Sequence, residues 1–153
     1  FTYAVGQLAL WVPGDPGLGP PEEYLATADF DRLAIANPRL APYGLAARQT
    51  LEAWRLWDRL QPRLVRGENV AQTHQFVATG NAPAGLVALS QLRAAGAPDG
   101  TFGLIPDGLH RPISQQALLL RPGEAAEAFL RYLRGGAATA LIQAAGYQVP
   151  VDR

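Results

Sequence analysis

Two short stretches hold the residue types from which a binding site could be built, and neither relies on a reactive side chain. In "ANPRLAPYG" (residues 36–44) two prolines and a glycine prepare the start of a helix. With Ala41 as the N-cap, Pro42 takes the first helical position, where its missing N–H would have no helical partner anyway. The first free amide then belongs to Tyr43. Gly44 follows, with no Cβ to obstruct the close approach of a ligand. In "GENVAQ" (residues 67–72) Asn69 is a strong N-cap, and Gln72 can complete a capping-box-like pair. That pairing engages the Gln72 amide and leaves those of Val70 and Ala71 unspent. Unpaired amides at the positive end of a helix dipole suit a small anion. The same residues also cap ordinary helices, so the local pattern admits both readings.

Side-chain chemistry is thin by comparison. His74 and His110 are the only histidines, and neither has a carboxylate at metal-ligand spacing. His74 lies one turn after Val70 and reads as a helix-edge residue. Ser90 and Ser114 are the only serines, and neither sits in a nucleophile-elbow context. "DFDR" (residues 29–32) reads as a solvated turn, "RYLR" as an exposed helix face, and Trp54 and Trp57 as core. No catalytic constellation and no cation site emerges, so the reading is a binding protein and not an enzyme.

Composition narrows the classes further. The 153 residues are 48% hydrophobic and 17% charged, with thirteen basic and thirteen acidic residues and no net charge. A nucleic-acid binder would show a basic face or excess, so none is expected as a partner. No apolar run reaches membrane-span length. Cysteine is absent, which excludes disulfides and thiolate metal ligands. Methionine is absent too, and a chain opening on Phe1 reads as less than an intact translation product.

The elements that would position the two helix starts follow from pattern. Residues 1–11 read as a strand, 21–26 as a short helix opened by proline, and 33–37 as a strand buried on both faces. A helix is expected from Pro42 to Leu60, with Leu45, Ala46, Leu51, Trp54 and Trp57 inward and the break set by Pro62. A strand over 63–67, a helix over 70–79 and a strand over 86–90 complete a βαβαβ unit. Right-handed crossovers then make it an α/β layered sandwich. Strands are expected in 101–105 and 112–120. A helix over 123–136 should turn Ala125, Ala128, Phe129, Tyr132 and Leu133 inward, and another over 137–147 should close at Gly146. Both helix starts fall at the carboxyl ends of strands, where open α/β sheets bind ligands.

The combination of "ANPRLAPYGLAARQTLEAW", "LVRGENVAQTHQFVATGNAPAGLVALSQ", "RPISQQALLL" and "AAGYQVP" resembles the periplasmic molybdate-binding proteins of bacterial ABC transporters. The likeness runs over most of the chain. It implies a type II periplasmic-binding-protein-like fold, a three-layer α/β sandwich of two lobes closing on molybdate or tungstate. Neutral hydrogen-bond donors hold the oxyanion in that family, with no cofactor or metal cation. Carried onto this sequence, two of the donors are the amides of Tyr43 and Val70, supported by Pro42, Gly44 and Asn69. Some members add a tyrosine hydroxyl from the strand after "GN", where this chain has Ala88.

The resemblance further implies a membrane permease as partner and an extracytoplasmic location. The family carries an additional N-terminal segment that forms most of the first lobe. This chain is therefore expected to hold half of the site. Residues 1–12 would be hinge strand and first-lobe remnant, 13–92 the complete second lobe, and 93–153 return strands and C-terminal helices of the first lobe. Unmet apolar surface on such a piece would favour self-association. An alternative is the effector-binding domain of a LysR-type transcription regulator, which shares the two-lobed form and binds small anions.

Overall fold

The computed structural model describes residues 1–150, so the end of the expected 93–153 region lies outside the described residues. Its centre is a five-stranded mixed sheet of order β4-β3-β5-β2-β6. Here β2 is Leu8–Trp11, β3 Leu33–Ala36, β4 Leu64–Gly67, β5 Ala84–Ala88 and β6 Phe102–Leu104. Strand β3 runs parallel to β4 and β5, while β2 is antiparallel to β5 and β6. The sheet thus takes up Leu8–Trp11 and Phe102–Leu104 from outside residues 13–92. A separate two-stranded antiparallel ribbon joins β1 (Thr2–Gly6) to β7 (Ile113–Gln116).

Helices cover both faces of the large sheet, as the βαβαβ reading requires. On one face α2 (Pro42–Ala53) packs Ala46, Ala47 and Leu51 against Leu8, Leu10, Leu33, Ile35 and Leu86. The other face packs Ala9, Trp11, Ala34 and Val87 against Val77 of α4 (Val70–Ala78). Alternate residues of β2 and β3 serve opposite cores, and every residue of both strands is buried. A short helix α1 (Pro21–Thr27) adds Leu25 to the α2-side core.

Several expectations need correction. Residues 1–11 form two strands in two sheets, parted at Gln7. The helix expected over 42–60 stops at Ala53, and a separate turn α3 (Trp57–Leu60) follows. The end of α2 is a Schellman closure: Leu56 N–H bonds Leu51 O at 2.8 Å and Arg55 N–H bonds Glu52 O at 3.0 Å. Arg55 takes the left-handed position at φ 58°, where glycine is usual. Leu45 is 39% exposed and does not face the core.

The strand expected over 86–90 is Ala84–Ala88, because Leu89 N–H turns to the Gln7 carbonyl and opens α5 (Leu89–Ala95). Gly96 closes that helix at φ 64°. The strand expected over 112–120 ends at Gln116. In α6 (Glu124–Leu133) no residue is buried, and Phe129 and Tyr132 are 59% and 49% exposed, the reverse of the inward face expected. Helix α7 (Gly136–Ala144) ends near Gly146, whose φ is 88°, as expected.

Candidate functional site

Strands β3 and β4 are parallel neighbours in a register that sets Ala36 beside Gly67. Their carboxyl ends, and hence the starts of α2 and α4, therefore lie side by side. A hydrogen bond from Asn37 N–H to Gly67 O, at 2.7 Å, extends the ladder one step and ties the two junctions together.

At the first junction, Asn37 organises the turn. Its side-chain oxygen accepts from Arg39 N–H and its carbonyl from the amides of Leu40 and Ala41, each at 3.0 Å. Ala41 is the N-cap in extended geometry, and Pro42 opens α2. The first helical bond runs from Leu45 N–H to Ala41 O at 3.1 Å. The amides of Tyr43 and Gly44 precede it, the orphan-donor positions of a helix start. Gly44 has a packing role beside the one expected of it. A Cβ there would strike the backbone of Ala36 and Asn37, so the missing side chain lets α2 close onto β3.

At the second junction, the side-chain oxygen of Asn69 accepts from Gln72 N–H at 2.9 Å. The Gln72 side chain accepts from Glu68 N–H at 2.7 Å, one residue before the position a standard capping box uses. Thr73 N–H begins the helical ladder to Asn69 O at 3.2 Å, and its hydroxyl bonds the same carbonyl. Val70 and Ala71 precede that bond with their amides outside the helix ladder. The structure thus brings Tyr43, Val70, Pro42, Gly44 and Asn69 to one end of one sheet.

Tyr43 is 8% exposed, and its hydroxyl is sealed from solvent with no well-formed hydrogen bond among the described residues, the Ser90 side chain being its polar neighbour. Burial pushes its pKa up, the Tyr147 phenol adds to that, and the Ser90 side chain opposes it. Ala88 is buried at the N-cap of α5 and offers no side-chain donor.

The remaining candidates have partners of their own. His74 stacks on Trp11 with ring centroids 4.8 Å apart, and burial lowers its pKa. The Nδ1 of His110 lies 2.9 Å from Arg111 O. Asp31 and Arg32 pair at the surface, 3.4 Å apart. Among the described residues no group of three or more His, Cys, Asp or Glu could hold a metal ion, and no helix is long and apolar enough to cross a membrane. A cleft of about 400 Å³ lies elsewhere, between Phe1, Ala117–Leu119 and α6.

A family model described as bacterial extracellular solute-binding protein matches residues 1–148. The chain is 40% identical over 150 residues to the molybdate-binding protein ModA of Rhodobacter capsulatus, covering 96% of this chain and 58% of that protein. It is 45% identical over 151 residues to the ModA of Azotobacter vinelandii, covering 96% and 60%. The solved periplasmic molybdate-binding protein of Azotobacter vinelandii superimposes with a TM-score of 0.86 at 38% identity, over 98% of this chain and 68% of that one. The chain spans about three-fifths of the length of the two relatives matched by sequence. The fold is that of a periplasmic binding protein, and the chain belongs to the bacterial extracellular solute-binding protein family.

Proposed function

We propose that this chain is part of an extracytoplasmic receptor that captures molybdate or tungstate for uptake by an ABC transporter. One observation carries the reading. Two helix starts, locked together by the Asn37–Gly67 bond, offer the amides of Tyr43 and Val70 at the same end of the sheet. Two relatives named for molybdate binding, at 40% and 45% identity, support the choice of ligand. They also favour transport over the regulator-domain alternative.

In this reading the dianion is held by neutral amides, with no cofactor and no countercharge. Pro42 and Asn69 fix the two helix starts, and Gly44 lets α2 seat on β3. Selection against sulfate, which carries the same charge, rests on cavity size and donor placement. The large sheet with α1–α5 is one lobe, and the β1–β7 ribbon with α6 and α7 belongs to the other. A membrane permease is the partner that receives the oxyanion. Donors on the far side of the ligand come from the length that the relatives have beyond the matched part. This chain alone therefore binds weakly, since each solvated amide contact contributes only about 0.5–1.5 kcal/mol net.

Amide-resolved NMR during molybdate titration tests the proposal, with sulfate in parallel. The Tyr43 and Val70 amides should shift most, at lower molybdate than sulfate concentration. Shifts centred elsewhere, or equal responses to both ions, would overturn it.

A further inference from the structure

A second feature does not depend on the molybdate reading. Beside the first junction a cleft of about 150 Å³ is lined by Asn37, Arg39, Arg48, Trp57, Gln61 and Arg66. Three arginines converge there, in a chain with no net charge. Among the described residues no acidic side chain lines the cleft. Arg48 Nε is bound to Glu52 at 2.7 Å, and its guanidinium also lies over the Trp57 ring, 5.1 Å from the centroid. Among the described residues Arg39 and Arg66 make no ion pair.

Position explains the convergence. Arg66 lies opposite Ile35 in the β3–β4 register, so its side chain leaves the edge strand on the α2 face of the sheet. Arg48 comes from the outer surface of α2, and Arg39 from the turn that Asn37 holds. Guanidinium groups keep their charge at any physiological pH; Glu52 offsets Arg48, and Arg39 and Arg66 are left without a carboxylate partner among the described residues. Their planar forks match the oxygens of a tetrahedral oxyanion, and the side-chain amides of Asn37 and Gln61 add neutral donors. The volume takes one such ion with a few waters and is too small for a folded segment.

We propose that Arg39, Arg48 and Arg66 form a second anion site that takes a small, multiply charged oxyanion of the phosphate or sulfate type. Its chemistry is opposite to that of the Tyr43–Val70 amides. It binds by charge, tells oxyanions of equal charge apart poorly, and weakens as salt rises.

Inorganic phosphate is the probe, followed by NMR of the arginine Nε–H and tryptophan indole signals of this chain. Saturable shifts at Arg39, Arg48, Arg66 and Trp57 are expected in the millimolar range. Arg39→Ala/Arg66→Ala should weaken them about tenfold. Arg39→Lys/Arg66→Lys should restore part of the affinity, which excludes a folding defect as the cause. Linear, unsaturable shifts reproduced by potassium chloride would overturn the site. So would phosphate shifts confined to the Tyr43 and Val70 amides, with none at the three arginines or Trp57.

Discussion

The far end of the Tyr43 ring rests against the α-carbon of Gly6. A Cβ at Gly6 would lie 2.9 Å from Tyr43 Cζ, closer still to its hydroxyl, and 3.3 Å from Ile113 Cγ2. The residue with the first free amide of α2 therefore also fills the space where the ribbon meets the large sheet. Gly6→Ala must push the ring away and should cost about 1–3 kcal/mol, the usual range for overpacking. Tyr43→Phe removes the atom that clashes hardest, so the two changes together should cost less than their sum. Urea unfolding of the four proteins checks this, and strict additivity would show that the contact is not felt.

The buried Tyr43 phenol also has an alkaline signature. Its folded-state pKa is raised, so the unfolded chain releases the proton first as pH climbs through the ordinary value of 10.0. Stability from this group is complete below that pH and declines above it. Tyr43→Phe should flatten the decline, measured as melting temperature against pH.

Burial lowers the pKa of His74, so the sign at the acid end is reversed. The folded protein prefers the neutral ring, while the unfolded chain takes up a proton near the ordinary value of 6.5. The contribution is therefore present above that pH and fades as pH falls through the lowered folded value. His74→Phe keeps a ring for Trp11 to stack on and removes the titration. Its melting temperature should fall less than that of the parent between neutral pH and pH of about 5. Identical profiles would exclude His74 as a source of acid sensitivity.

Asn69 lets capping be separated from ligand charge. Asn69→Ala should cost about 1 kcal/mol through the lost bond to Gln72 N–H. Asn69→Asp keeps an acceptor and should hold stability near the parent value. It also sets a negative charge beside the Val70 amide, and molybdate binding should drop by at least about fivefold. Unchanged binding in the aspartate variant would mean that no dianion sits at this junction.

Helix α6 bears on association. Phe129 and Tyr132 project into solvent, and Leu118 and Leu120 nearby are 80% and 83% exposed. Apolar surface of this extent drives self-association at high concentration. Sedimentation velocity should show concentration-dependent growth that Phe129→Glu reduces. A clean monomer throughout would refute it.

Much of the candidate site was legible because capping is local. Proline after Ala41 and the Asn69–Gln72 spacing mark helix starts wherever they occur. The use of Gly44 was not legible, since its close neighbour is Ala36, and only the fold brings that backbone within reach. The end of α2 was hidden because Arg55 holds a left-handed position with no glycine to announce it. Helix α5 was absorbed into the preceding apolar run, although Gly96 marked its end. In α6 the periodicity correctly gave an apolar face, but periodicity says nothing about whether another element covers that face.

Only Gln7 separates β1 from β2, and its carbonyl is held by Leu89 N–H at 3.0 Å. A link of one residue has two soft torsions and no slack. Any swing of the ribbon relative to the large sheet is thus geared directly into β2, which lies beside β5 and the root of α5. Gln7 is built as a pinned joint and not as a slack tether, with one sheet on each side of it.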